Sequence, residues 1–177
     1  MKNILLLLCL LNLTAVTNIY AQDQKPQILN VETVKGGVVA IDMNNKDCIH
    51  VVDGLVTDGV EEVPAILLAH FEQAVSKEKL DKLGFNDSQC VLVKSSFDLD
   101  IENYIYRQVH AQVQRIGTQY KVPIAVNGQL TSSFAARRSQ LAGIKPEQIK
   151  EVRFLDKPAA QAKYGDQVVF GLIEIVL

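Results

Sequence analysis

From residue 28 to residue 177 the apolar residues change their spacing repeatedly, and this alternation of period constrains the fold more than any one motif does. Short apolar runs at 28–34, 38–43 and 48–52 read as strands. They are punctuated by the turn signals Lys35-Gly36-Gly37, Asn44 to Asp47 and Asp53-Gly54, with Asp58-Gly59 a further turn, so this part reads as a small meander. Pro64, preceded by Glu61 and Glu62, then opens a stretch in which Ile66, Leu67, Phe71, Ala74 and Val75 recur at helical spacing. The spacing predicts a helix there; Leu80 and Leu83 either extend it or form a second short one, and Gly84 is the stop. Residues 90–93 are strand-like again. A second helix is predicted from Ile101, Ile105, Val109, Val113 and Ile116, capped by Asp98 or Asp100 and ending near Gly117.

The last third repeats the alternation on a shorter scale. Residues 122–126 form a strand that ends in the turn Asn127-Gly128, and a polar stretch and short helix run through Leu141 to Gly143. Ile149, Val152, Phe154 and Leu155 fit a helical turn running into a strand. Pro158 opens a short helix with Ala159, Ala160 and Ala162, ended by Tyr164-Gly165, and Gly171 precedes a closing strand over 172–177. Five of those six closing residues are apolar and Glu174 is the only charge, with Arg153 the candidate partner for it. The fold class expected is α+β, with small mixed sheets and packed helices. No proline- or glycine-rich linker, internal repeat or low-complexity tract is visible. The organisation expected is a leader over 1–21, a meander-plus-helix region over 22–95 and an α+β region over 96–177.

Composition excludes several classes. The chain has 177 residues, 48% hydrophobic and 21% charged, unlike a disordered chain. A net charge of -2 and the lone basic pair Arg137-Arg138, expected to be exposed, give no footprint for nucleic acid. The N-terminus has the layout of a secretory signal peptide: Lys2, an apolar run from Ile4 to Leu13, then a polar stretch with Ala21 before Gln22. That run is shorter than the roughly 20 residues a membrane span needs, and no later segment supplies one, so the mature chain is expected to carry no transmembrane segment. Cys9 lies inside the run with leucine on both sides, unlike a lipidation site. In an oxidising compartment the remaining Cys48 and Cys90 either form one disulfide, if their strands are neighbours, or are two buried small hydrophobes; the sequence leaves both open.

Several offsets in the last third agree together. Ile149 and Val152 are followed by Phe154-Leu155; Ala160 lies four before Tyr164; Gly171 lies six after Gly165, and Leu172-Ile173 open the final strand. With the Asn127-Gly128 turn, this resembles the C-terminal part of the plug domain of TonB-dependent outer-membrane receptors, of the type found in SusC-like glycan importers. The resemblance covers about a third of the chain. It implies an exported, plug-like strand–helix–strand–helix–strand module without the barrel, one that binds and does not catalyse, with an envelope or outer-membrane protein as partner. Asn127, Gly128, Ala160, Tyr164, Gly165 and Gly171 read as fold determinants of that module.

Catalytic signatures are missing from the sequence. His50, His70 and His110 match no zinc spacing, and no G-x-S-x-G elbow, phosphate loop or calcium loop is present. The acidic set Asp98, Asp100 and Glu102 fits helix capping and solvation. No cofactor or metal is expected. Two readings follow: a non-enzymatic periplasmic binding or scaffold protein, or a periplasmic hydrolase or ligand-binding protein whose site is assembled from dispersed residues.

Overall fold

A computed structural model of the chain describes residues 31–34, 37–40, 42–57, 63–86, 89–113 and 119–177. The expected leader lies outside them. The fold is α+β. β1 (Val31–Val34) and β2 (Gly37–Ala40) form an antiparallel hairpin, and the Lys35-Gly36 part of its expected turn lies outside the described residues. The hairpin does not continue into a meander: β3 (Ile49–Val52) pairs with β4 (Leu55–Thr57) and β6 (Val91–Ser96), not with β2. β5 (Leu68–Ala74) adds antiparallel to β6, giving a sheet ordered β4-β3-β6-β5 in which β3 and β6 are parallel.

β5 corrects the first helix expectation. Pro64 is followed only by a 3-10 turn, Ala65–Leu67, and residues 68–74 are extended against β6. The register slips between Leu68 and His70, and that irregularity erases the period-two signal and leaves apolar spacings that mimic a helix. The helix that does form is α1 (Lys77–Leu83). Ser76 accepts the Lys79 N–H at 3.4 Å, and Gly84 closes it in the left-handed region at φ 78°. The second expected helix is two, α2 (Asp100–Gln108) and α3 (His110–Val113); Ile116 and Gly117 lie outside the described residues. Neither Asp98 nor Asp100 caps α2. Leu99 holds the cap position, and Glu102 Oε2 accepts its N–H at 2.7 Å.

The second sheet comprises β7 (Ile124–Val126), β8 (Glu151–Leu155) and β9 (Leu172–Val176), ordered β7-β9-β8, with α4 (Phe134–Ala142) and α5 (Lys157–Tyr164) in the connections. β9 is central, parallel to β7 and antiparallel to β8. Asp156 caps α5, accepting the Ala159 N–H at 3.0 Å.

Contrary to the sequence reading, the chain contains one unit twice. β3, β5, α1 and β6 have the topology of β7, β8, α5 and β9: a strand, an edge strand, a capped helix, and a central strand parallel to the first. The first strand of each ends in a two-residue turn with both residues at positive φ, Asp53-Gly54 (50°, 82°) and Asn127-Gly128 (50°, 76°). The turns are tied back alike. Asp53 N donates to Lys94 O and Asn127 N to Ile175 O, each at 2.9 Å, while Asp53 Oδ1 accepts Ser96 N at 2.7 Å and Asn127 Oδ1 accepts Leu177 N at 2.8 Å. The fourth residue after each helix cap, Leu80 or Ala160, is fully buried.

The two units share one core. Val51, Val91, Val93, Leu80 and Leu83 pack in the same cluster as Ile101, Ile105, Ile124, Val126, Ile173 and Ile175. A smaller cluster of Leu55, Ala125, Ala160, Val168 and Leu172, with Tyr164 against it, lies under α5, where Ala160 lets the helix approach the sheet. Cross-unit backbone bonds, Val56 N to Gln167 O at 2.8 Å and Val169 N to Gly54 O at 3.1 Å, join them further.

Two glycines in the second unit are demanded by the backbone. Gly171 has φ 89°, and a Cβ there would lie 2.6 Å from Leu155 O. Gly165 has φ 89° and ψ 173°, a region essentially confined to glycine, although a Cβ would meet nothing within 4 Å. Gly165→Val should therefore destabilise by backbone strain alone, by about 1–3 kcal/mol. An unchanged denaturation midpoint would reject this assignment.

Candidate functional site

Cys48 and Cys90 stand at the entries to the parallel strands β3 and β6 and are joined by a disulfide, with their Cα atoms 4.6 Å apart. The bond closes a sequence separation of 42 residues. By unfolded-chain entropy it should contribute about 2–4 kcal/mol. Urea unfolding of the Cys48→Ser/Cys90→Ser variant should show that loss, and a midpoint equal to that of the parent would exclude it.

Between the units lies a buried charge network. The Asp53-Gly54 turn meets the chain at Lys121 so closely that a Cβ on Gly54 would sit 2.6 Å from Lys121 O. This approach brings Lys121 into the end of the first sheet, where it is 6% exposed. Its Nζ donates to Ser96 Oγ at 3.2 Å and to Glu102 at 2.8 Å, and lies 3.3 Å from Asp98 Oδ1. Ser96 Oγ donates to Asp53 Oδ2 at 2.9 Å. Arg138 Nη1 reaches Phe97 O at 2.9 Å and Ser96 Oγ at 3.4 Å. Arg137 is buried: Nη2 donates to Val52 O at 3.3 Å, and Nη1 donates to Ser132 O and to Thr131 O. The sequence reading of Arg137-Arg138 as an exposed pair is thus corrected, since both guanidiniums serve carbonyl groups across the unit boundary. Glu102 is likewise no solvated charge but the buried partner of Lys121. Burial pushes the Tyr106 phenol well above its usual range, helped by Glu102, Asp98 and Asp53, while its hydroxyl donates to Val122 O at 3.0 Å.

Ser96, Lys121 and Asp53 match a nucleophile and its partners only in composition. Ser96 is 2% exposed and its hydroxyl is already bonded. Lys121 directs its three donors at Ser96, Glu102 and Asp98. The void beside them, about 20 Å³, accommodates about one water. This arrangement locks the units together; it leaves a substrate no approach to the hydroxyl.

Among the described residues, space open to a ligand lies elsewhere, in a groove of about 610 Å³ between β8, the start of α5 and the segment before β9. Phe154, Leu155, Ala159, Val169 and Phe170 supply apolar walls, with Gln112, Asp156 and Lys157 as polar groups. Phe170 stacks on Tyr120 at 4.8 Å, which fixes that wall. The Tyr120 phenol is pushed up to about 12 by burial and by Glu72, which accepts its hydroxyl at 2.6 Å. Burial acts to raise Glu72 too, but the Tyr120 hydroxyl, Lys79 and His70 outweigh it and hold the carboxyl below its ordinary range.

The residues singled out from sequence frame this second unit. Asn127 and Gly128 form the turn of β7, Ala160 packs α5 on the sheet, and Gly165 and Gly171 shape the return to β9. Tyr164 donates to Glu174 Oε1 at 2.5 Å, and Lys163 donates to the same oxygen. Arg153 faces Glu174 across the β8–β9 ladder and acts on it through its charge, but its hydrogen bond goes to Glu151 at 2.5 Å; Lys163 and Tyr164 are the groups that bond Glu174. Burial raises Glu174, and Lys163, Tyr164 and Arg153 outweigh that, so its carboxyl is held below 4.5. A depressed carboxyl stabilises the fold above its unfolded pKa and loses that contribution as pH falls through the folded value. Stability should therefore decline below pH 4.5, and Glu174→Gln should flatten the decline. Equal midpoint losses for both proteins between about pH 6 and about pH 3 would contradict this.

The histidines do not converge. His50 is on β3 with Nε2 2.9 Å from Asn45 O, His70 is on strand β5 and not a helix, and His110 starts α3. Among the described residues no group of three His, Cys, Asp or Glu side chains could hold a metal, and no helix is long and apolar enough to cross a membrane. No protein-family model, curated protein or solved structure matches the chain.

Proposed function

We propose that this chain is an exported binding or scaffold protein of the cell envelope. Its second unit is a module of the kind that plugs TonB-dependent receptors, and it works through contact with an outer-membrane transport component. The groove beside Phe154 and Phe170 is the observation that carries the reading. It is open, walled mainly by apolar side chains and edged by a few polar ones, as binding sites are. The Cys48–Cys90 bond suits an oxidising compartment and so supports export. The strand–helix–strand–helix–strand order of β7, α4, β8, α5 and β9 supports the plug comparison. Fractionation with intact-mass measurement tests it. The expected product is periplasmic or outer-membrane associated and lacks residues near 1–21. A cytoplasmic chain with its N-terminus retained would overturn the proposal.

A further inference from the structure

The duplicated unit makes its two edge strands directly comparable. Position for position, β5 of the first unit corresponds to β8 of the second: Phe71 opposes Lys94 as Val152 opposes Ile175, and Ala74 opposes Val91 as Leu155 opposes Leu172. The flanks of Phe71, His70 and Glu72, are occupied from within the chain. Tyr120 bonds Glu72 at 2.6 Å and sets its ring edge-on against His70 at 5.9 Å. The flanks of Val152 are Glu151 and Arg153, which pair with each other at 2.5 Å and are 51% and 59% exposed. β8 ends its sheet, and no described residue pairs with its outer side.

A bare edge strand is a template for another strand. Charges on an edge ordinarily keep copies apart. Here the two charges are opposite and symmetric about one residue, so the edge complements itself. An antiparallel copy centred on Val152 sets each Glu151 against the Arg153 of the other chain, twice, and sets Ile149 opposite Leu155. Opposite charges directly across an antiparallel pair are favourable and like charges are not. We propose that β8 is a self-association edge, through which two copies of this chain join antiparallel about Val152 and merge their three-stranded sheets into one.

Sedimentation equilibrium of the full chain and its charge variants tests this. The parent should be dimeric. Arg153→Glu and Glu151→Arg should each weaken the dimer by roughly tenfold or more, since each sets like charges against one another twice. E151R/R153E should restore it, because the reversed pair is again complementary. Amide exchange provides a readout independent of the variants: protection within β8 should rise with protein concentration while β5 stays unchanged. A parent that remains monomeric at roughly 100 μM overturns the proposal. So does a dimer indifferent to the single reversals, a double variant that stays dissociated, or β8 protection that does not change with concentration.

Discussion

Deletion of residues 172–177 should abolish cooperative unfolding and leave the protein molten or insoluble. β9 is the middle strand of its sheet, so its loss leaves β7 and β8 without a shared partner. Leu172, Ile173 and Ile175 are fully buried, and each contributes about 1.5–3 kcal/mol by burial. Ile173 and Ile175 also enter the core shared with the first unit, so the damage should not stop at the second. Together these exceed much of the roughly 5–15 kcal/mol by which a domain of this size is stable. A soluble truncated chain with a sharp thermal transition would place the segment outside the core.

Lys121→Met should cost about 3–5 kcal/mol, because Glu102 remains buried without the cation that pairs with it. The loss should be largely reversed in Lys121→Met/Glu102→Leu, since removing both members of a buried pair removes the unpaired charge that one deletion creates. Chemical denaturation of the single and double variants measures this. A single variant within about 1 kcal/mol of the parent, or a double variant no better than the single, would show that the network does not hold the units together.

The parts of this fold legible in the sequence are those whose signals are local. Asn127-Gly128, Pro158, Gly165 and Gly171 each constrain their own backbone, and the elements of the second unit follow from them with small shifts of boundary. β5 is illegible because its pairing with β6 overrides an apolar spacing that also suits a helix, and the slip at His70 hides the alternation. The duplication is hidden for a related reason. The units share hydrogen-bond roles, Asp53 with Asn127 and Ser96 with Leu177, but the side chains in those roles differ. The two positive-φ turns, each closing an apolar strand, are the signal that could have shown it. The buried network draws on positions 53, 96, 102, 121 and 138, which no sequence window joins; the Asp53-Gly54 turn, the acidic set at 98–102 and the pair at 137–138 are visible in the sequence only as separate pieces. The groove is likewise made from α3, β8, α5 and the segment before β9.

Site-specific photocrosslinking in the native envelope tests the binding role most directly. A crosslinkable residue replacing the exposed Ala159 on the groove should form an adduct with an outer-membrane transport protein, whereas one replacing the exposed Ala142 on α4 should not. Adducts formed equally from both positions, or none from Ala159 in an exported and folded chain, would contradict the proposed function.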